Sequence, residues 1–137
     1  MDERQKLIDE LTILMKQKKY KKQKRTWFRE NDDLVILFGI QYSSYGDEYY
    51  INLGIIIKKL LKEGEGVSFL RCHIIERVNN KNEYGIYLTA DQLMAILDLW
   101  EKWYGDINAL RIKAVEGKLP YYCTAEARTF LTTVRFG

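Results

Sequence analysis

Residues 40–57 have the sequence IQYSSYGDEYYINLGIII, in which runs rich in β-branched and aromatic residues flank a short polar segment. This pattern predicts two strands of an antiparallel sheet joined by a hairpin connection. Gly46 and Asp47 are ordinary turn residues. Turn chemistry does not account for three other polar residues of the stretch, which are Gln41, Ser43 and Asn52. We therefore expect these three to belong to a recognition surface.

Strand patterns on both sides of this hairpin extend the predicted sheet. Thr26–Arg29 and Leu34–Gln41 precede the turn, and Tyr49–Ile57 follows it, so that three strands form an antiparallel meander. Val67–Val78 has the composition of a fourth strand. The charged connection before it contains Gly64 and Gly66, which interrupt regular structure.

Helical patterns lie at the two ends of the chain. The apolar residues of Glu3–Lys19 recur at helical spacing and predict an N-terminal helix, which Asp2 is placed to cap. Thr89-Ala-Asp-Gln92 has the form of a capping box and begins a second long helix. Gly105-Asp106 predicts the end of this helix, or a kink, before a further helical segment.

The last part of the chain is ambiguous. Thr124 fits the cap of a short helix, whereas Thr132-Thr133-Val134 fits a strand. No repeat or low-complexity linker divides the sequence. We expect a single α+β domain of residues 1–137, with an N-terminal helix, a four-stranded antiparallel sheet and C-terminal helices packed on one sheet face.

The alternation of side chains divides each predicted strand into two faces. One face of the central strands is apolar, and we expect the helices to bury it: Leu34, Ile36, Phe38, Ile40, Tyr49, Ile51, Leu53, Ile55 and Ile57. On the other face Gly39 and Gly54 have no side chains, which predicts a shallow trough. If the strands are in register, this trough is bordered by Gln41, Asn52, Arg71, His73 and Arg77. Such a trough suits a carboxylate, a phosphate or the backbone of a partner. The alternative is an ordinary solvent-facing side of a sheet.

Length and composition restrict the class of protein. A chain of 137 residues with 47% hydrophobic residues forms a core without disulfide or metal support. The start, MDERQKLIDE, lacks the apolar region of a signal peptide, and no apolar run approaches the roughly 20 residues of a membrane span. We therefore expect a cytoplasmic protein with no membrane partner. Cys72 and Cys123 are then reduced, and with one histidine they lack zinc-site spacing, so we expect no metal and no cofactor.

Positive charge is concentrated at the end of the first predicted helix and in the residues that follow it. Eight cations occur without an intervening acid: Lys16, Lys18, Lys19, Lys21, Lys22, Lys24, Arg25 and Arg29. The rest of the chain has 14 basic against 19 acidic residues, which predicts one positive end on an acidic body. Lysines neutralise phosphates, and the nearby Tyr20, Trp27 and Phe28 are able to stack on bases, so weak nucleic-acid binding is one hypothesis. The alternative is a solvated helix end.

His73 is the only histidine. Histidine is the side chain that titrates near neutral pH even when its environment does not shift its pKa. A catalytic role requires an orienting partner and a substrate site, which the sequence does not place beside it. We favour a histidine satisfied by local hydrogen bonds.

The acid pairs Asp32-Asp33 and Asp47-Glu48 lie in predicted turns, where they stabilise the bend.

Several of these segments form a pattern that resembles a known family. Within about Trp27–Val78 they are the basic, aromatic first strand around Trp27, Gln41-x-Ser43, Tyr49-Tyr50-Ile51-Asn52-Leu53-Gly54, and Cys72-His73-Ile74 with Arg77. The combination resembles a bacterial family known as domain of unknown function 4304. This resemblance implies a small cytoplasmic bacterial α+β protein without an established activity, and it supplies no catalytic residues.

Three hypotheses for function follow. The first is a non-enzymatic protein-binding module, of an accessory or immunity type, that uses the polar trough, the basic end or both. The second is a weak nucleic-acid binder acting through residues 16–29. The third is an enzyme or small-molecule binder with a pocket around His73 on the sheet face.

Overall fold

The computed structural model describes residues 3–43 and 48–133. Its helices and strands, in chain order, are α1 (Glu3–Gln17), β1 (Lys21–Gln23), β2 (Thr26–Glu30), β3 (Leu34–Tyr42), β4 (Tyr49–Ile57), β5 (Ile74–Val78), α2 (Ala90–Tyr104), α3 (Ile107–Val115), β6 (Tyr122–Cys123) and α4 (Ala125–Thr132). Two short 3-10 helices, Lys58–Leu60 and Phe69–Arg71, lie between β4 and β5. Among the described residues no helix has the length and apolar character needed to cross a membrane.

The strands of the described residues form one antiparallel sheet in the order β1-β2-β3-β4-β5-β6. The α+β class is therefore confirmed, but the prediction of four strands is wrong, because the sheet has six. β1 consists of three exposed polar residues and β6 of only two residues, so neither has the apolar pattern of a strand. The predicted strand Val67–Val78 begins only at Ile74.

The first face of the sheet carries the main hydrophobic core. Every residue assigned to this face from strand alternation is buried in one cluster, and all four helices contribute to that cluster. Leu11 of α1, Leu97 of α2, Leu110 of α3 and Ala127 of α4 are fully buried there. The helices therefore pack on this face, where their apolar stripes and the apolar side of the central strands bury each other.

The second face has a smaller core covered by residues 58–73, a segment we call the strap. Val35, Leu37, Ile56 and Cys72 form this cluster, and Phe69 of the strap packs against it. The Phe69 ring lies over the two strand glycines. A Cβ added to Gly39 would be 2.5 Å from Phe69 Cε2, and one added to Gly54 would be 2.6 Å from Cys72 Sγ and 2.9 Å from Phe69 Cε1. Glycine suits these positions because side chains of the strap approach the strand backbone closely.

Side-chain caps begin three of the helices, and the caps at Thr89 and Thr124 were expected from the sequence. Thr89 and Gln92 form the capping box of α2, and Asp106 accepts a hydrogen bond from the backbone of Ala109 at the start of α3. Thr124 accepts one from Ala127, so the short last helix is the correct alternative, and Thr132 lies in that helix instead of a strand. The predicted roles of Asp2, Gly46, Asp47 and Val134 lie outside the described residues.

Candidate functional site

Three of the predicted trough residues meet on the second sheet face. Asn52 pairs in register with Gly39 on one side and with Arg77 on the other. The Asn52 amide donates to Gln41 Oε1 at 3.2 Å, and Arg77 donates to Asn52 Oδ1 at 3.3 Å and to Gln41 Oε1 at 3.4 Å. The guanidinium carbon lies 4.4 Å from the centre of the Tyr50 ring. We call these four residues the Arg77 cluster.

The Arg77 cluster presents a positive charge on the second sheet face. Among the described residues no carboxylate lies within ion-pair distance of Arg77. Two amide oxygens and one aromatic face orient the guanidinium, which leaves Nη1 without a protein partner in the described part of the chain. A guanidinium group that is held in a fixed orientation is suited to bind a carboxylate or phosphate.

The other predicted residues do not join this cluster. The Ser43 backbone N–H donates to the Glu48 carbonyl at 2.9 Å across the hairpin. Arg71 Nη1 lies 2.8 Å from Glu65 Oε2, so its charge is paired within the strap. The expected trough is absent as an open feature because Phe69 occupies the space above the glycines.

His73 is buried, with 8% of its surface exposed, at the bend that precedes β5. Its Nδ1 accepts a hydrogen bond from the Ile57 backbone N–H at 2.9 Å. Its own backbone donates to the Ile55 carbonyl and accepts from the Thr124 N–H, each at 2.9 Å. Burial lowers the pKa of His73 from its ordinary value of 6.5, and Glu126 and Glu65 partly oppose this change. The side chain therefore links the strap to β4 as a neutral imidazole.

We expect stability to depend on pH through His73. Because its pKa is lower in the folded than in the unfolded protein, the unfolded state binds more protons between these two values. The free energy of unfolding is therefore highest above pH 6.5 and falls as the pH is lowered toward the folded-state pKa. Urea unfolding measured from pH 7.5 to 5.5 should show this decrease, and His73→Gln should remove it, since the chain has no other histidine. A stability that rises on acidification would contradict the assignment.

The thiols do not form a reactive centre. Burial raises the pKa of Cys72 to about 12 and also raises that of Cys123, although Arg128 opposes the second shift. A thiol with a raised pKa contains little of the nucleophilic thiolate at neutral pH. Within residues 3–43 and 48–133 no three His, Cys, Asp or Glu side chains are grouped to hold a metal ion.

Two of the eight cations of residues 16–29 are bound to α2. Lys18 pairs with Asp98 and, at 2.8 Å, with Glu101, while Arg29 pairs with Glu101 and donates to the Lys18 carbonyl at 3.1 Å. The Glu101 side chain is only 10% exposed. Lys18 and Arg29 therefore fasten the basic segment to the helix layer.

The other six cations are exposed, and we call them the basic edge: Lys16, Lys19, Lys21, Lys22, Lys24 and Arg25. The β1–β2 hairpin has a two-residue loop, Lys24-Arg25, in which Lys24 adopts a positive φ of 58°. Lys22 Nζ lies 5.7 Å from the centre of the Trp27 ring, and Arg25 Cζ lies 4.4 Å from that of Tyr42. These cation–π contacts orient part of the edge.

The aromatic residues near the basic edge are not arranged as a stacking platform for bases. Trp27 is 1% exposed and Tyr20 is 6% exposed, since both belong to the main core. Phe28 packs against the smaller core on the second face. The nucleic-acid hypothesis therefore depends on phosphate contacts alone.

One cavity was not anticipated from the sequence. It has a volume of about 540 Å³ and lies between the N-terminal half of α1 and residues 87–90, which lead into α2. Tyr49 of β4 forms part of its wall. We call it the α1–α2 cavity. The sequence did not predict this cavity because its two sides are far apart in the chain. Tyr49 and Tyr87, whose rings stack with their centres 5.0 Å apart, are also too distant in sequence to form a recognisable local pattern.

Comparison with known proteins gives a family without an assigned activity. No curated protein and no solved structure is significantly similar to this chain. Residues 11–103 match the family model described as Domain of unknown function (DUF4304). This match includes β1 to β5, the Arg77 cluster and the basic edge, and it contains the Trp27–Val78 segments in which the resemblance was recognised. The chain belongs to the DUF4304 family.

Proposed function

We propose that this protein is a non-enzymatic protein-binding module, of an accessory or immunity type, whose basic edge docks an acidic segment of a partner protein. The observation that carries this proposal is the exposed edge strand β1, which together with its flanking residues carries six exposed cations, with no acidic residue between Lys16 and Arg29. Both the charge and the open strand edge belong to the same few residues.

The open edge supports recognition of an extended segment. In the described chain β1 pairs with β2 only, so its outer side is available for an added strand. Backbone hydrogen bonds from such a strand supply affinity that is independent of sequence. Lysines on an edge strand disfavour pairing with ordinary strands. An acidic segment neutralises the lysines when it pairs with β1. The edge therefore selects acidic segments over other strands.

Charge distribution supports an acidic partner. Outside residues 16–29 the chain has 14 basic and 19 acidic residues, so the basic edge is the main attractive surface for an anion. Lys22 and Arg25 are already held over aromatic rings, which reduces the side-chain entropy lost on binding. Electrostatic complementarity of this type accelerates association and excludes basic partners.

The sheet register supports a second contact area. One transverse row on the second face contains Gln23, Thr26, Gly39, Asn52 and Arg77, from β1 to β5. This row connects the basic edge to the Arg77 cluster. A partner that begins at β1 is therefore able to place a carboxylate near Arg77. By contrast, the hydrogen-bonded His73 and the raised pKa of Cys72 favour binding over catalysis.

Charge reversal of the basic edge tests the proposal. We expect the combined change of Lys21, Lys22, Lys24 and Arg25 to Glu to weaken binding of a partner at least about tenfold, because four attractive contacts become repulsive. The matched control is the same charge change at Lys59, Lys62, Lys102 and Lys118, which are exposed elsewhere. The measurement is capture of binding partners from native lysate with and without nuclease treatment, followed by titration of the purified partner.

The outcomes separate the hypotheses. Loss of a stoichiometric protein partner in the basic-edge variant, but not in the control, supports the module. Material that disappears on nuclease treatment and binds a single-stranded oligonucleotide with a steep salt dependence instead supports the nucleic-acid alternative. A protein partner bound equally by both variants would overturn the assignment of the basic edge.

A further inference from the structure

The α1–α2 cavity has the size of a small-molecule site. Its volume of about 540 Å³ lies within the roughly 300–1,000 Å³ typical of ligand pockets. Leu7, Leu88 and Ala90 provide apolar lining, and the Tyr87 ring stands at its side with 39% of its surface exposed. Tyr87 stacks on the buried Tyr49 at an interplanar angle of 19°, which fixes the orientation of the exposed ring. This surface suits an apolar or aromatic group.

The rim of the cavity carries charges of both signs. Glu3, Lys6 and Glu10 are exposed, and none forms an ion pair with another described residue. Arg4 adds a second cation and lies 5.0 Å from the centre of the Tyr42 ring. Two acids and two bases therefore face the same opening. A ligand with a single charge meets repulsion from half of them, whereas a zwitterion finds complementary groups for both of its charges.

The start of α2 adds polarity on one side of the cavity. Thr89 and Ala90 line it, and they are the cap and the first residue of a helix of 15 residues. Backbone N–H groups of a first helical turn favour a carboxylate. Together with Arg4 they define the side on which the anionic end of a zwitterion is stabilised, while Glu3 and Glu10 on α1 serve its cationic end.

We propose that the α1–α2 cavity binds a free zwitterion that carries an apolar or aromatic group, the chemistry of an apolar amino acid. The apolar group lies against Leu7 and Tyr87, the carboxylate near Arg4 and the start of α2, and the ammonium near Glu3 and Glu10. This site is distinct from the basic edge, so it does not depend on the proposed protein partner.

Four related ligands test the proposal on the full chain by calorimetry and by NMR. L-phenylalanine is expected to bind with a Kd on the order of 0.1–1 mM, as a compact ligand in a half-open site. 3-Phenylpropionate lacks the ammonium, phenethylamine lacks the carboxylate, and N-acetylphenylalanine amide lacks both charges. Each is expected to bind at least about tenfold more weakly. Equal binding of 3-phenylpropionate and L-phenylalanine, or no binding of L-phenylalanine, would overturn the proposal.

Matched variants locate the site. Tyr87→Ala should weaken binding of L-phenylalanine about tenfold, whereas Tyr84→Ala, at a tyrosine that is 79% exposed and outside the cavity, should not. Glu10→Gln changes an exposed rim residue without disturbing the core, so it tests the site even if Tyr87→Ala unfolds the protein. It should weaken L-phenylalanine binding but not the residual binding of 3-phenylpropionate. An unchanged affinity for L-phenylalanine in Glu10→Gln would contradict the role given to the acidic rim.

Discussion

Replacing Glu101 with alanine is expected to lower the free energy of unfolding by about 2–4 kcal/mol, because removal of one partner leaves partly buried charges unpaired. The Glu101 carboxylate is 10% exposed and receives both Lys18, at 2.8 Å, and Arg29. Arg29 also lies over the Tyr20 ring, with its guanidinium carbon 5.1 Å from the ring centre. The mutation therefore loosens the connection between the basic segment and α2.

Asp98 provides a matched control for this prediction. It pairs with Lys18 but is 63% exposed, so Asp98→Ala should cost less than about 1 kcal/mol. Urea unfolding of the two variants at low and high salt measures both effects, and only the smaller one should be strongly screened by salt. Equal costs for the two carboxylates would show that Glu101 does not anchor the segment.

The second large effect is expected at Gly39. A methyl group at this position would lie 2.5 Å from Phe69 Cε2, so Gly39→Ala should cost about 1–3 kcal/mol as the ring is displaced. In a Phe69→Ala background the same change should cost less than about 0.5 kcal/mol, because the three atoms nearest to the added Cβ all belong to this ring. Chemical unfolding of the four proteins of this cycle gives the interaction energy.

Gly66 is the control for the Gly39 cycle. Nothing lies within 4 Å of a Cβ added there, and its φ is not positive, so Gly66→Ala should leave stability nearly unchanged. A cost for Gly39→Ala that persists without the Phe69 ring would indicate a backbone requirement instead of a steric one. In that case the closed second face would not depend on Phe69.

Local patterns predicted much of the candidate surface. Strand alternation and the paired strands β3, β4 and β5 place Gln41, Asn52 and Arg77 together, as expected from parity. The same parity argument did not hold for Arg71 and His73, because the chain before Ile74 is a strap and not a strand. Alternation has no meaning outside extended backbone.

Short or polar elements could not be predicted in the same way. The three residues of β1 are exposed, and their side chains have no preference for strand conformation. They form a strand because their backbone pairs with the edge of β2. The positive segment had two interpretations from the sequence, a weak nucleic-acid site or a solvated helix end. In the structure Lys16 lies in the last turn of α1, Lys21 and Lys22 lie in β1, and Lys18 and Arg29 are held by α2.

The sequence by itself determined the α+β class, the apolar face of the sheet and the helix caps at Thr89 and Thr124, because these depend on periodicity and on contacts within a few residues. Only the tertiary structure decided that Phe69 closes the trough, that Glu101 holds Lys18 and Arg29, and that α1 and residues 87–90 enclose a cavity. These contacts join residues distant in the chain, and no local pattern encodes which distant side chain will fill a given space.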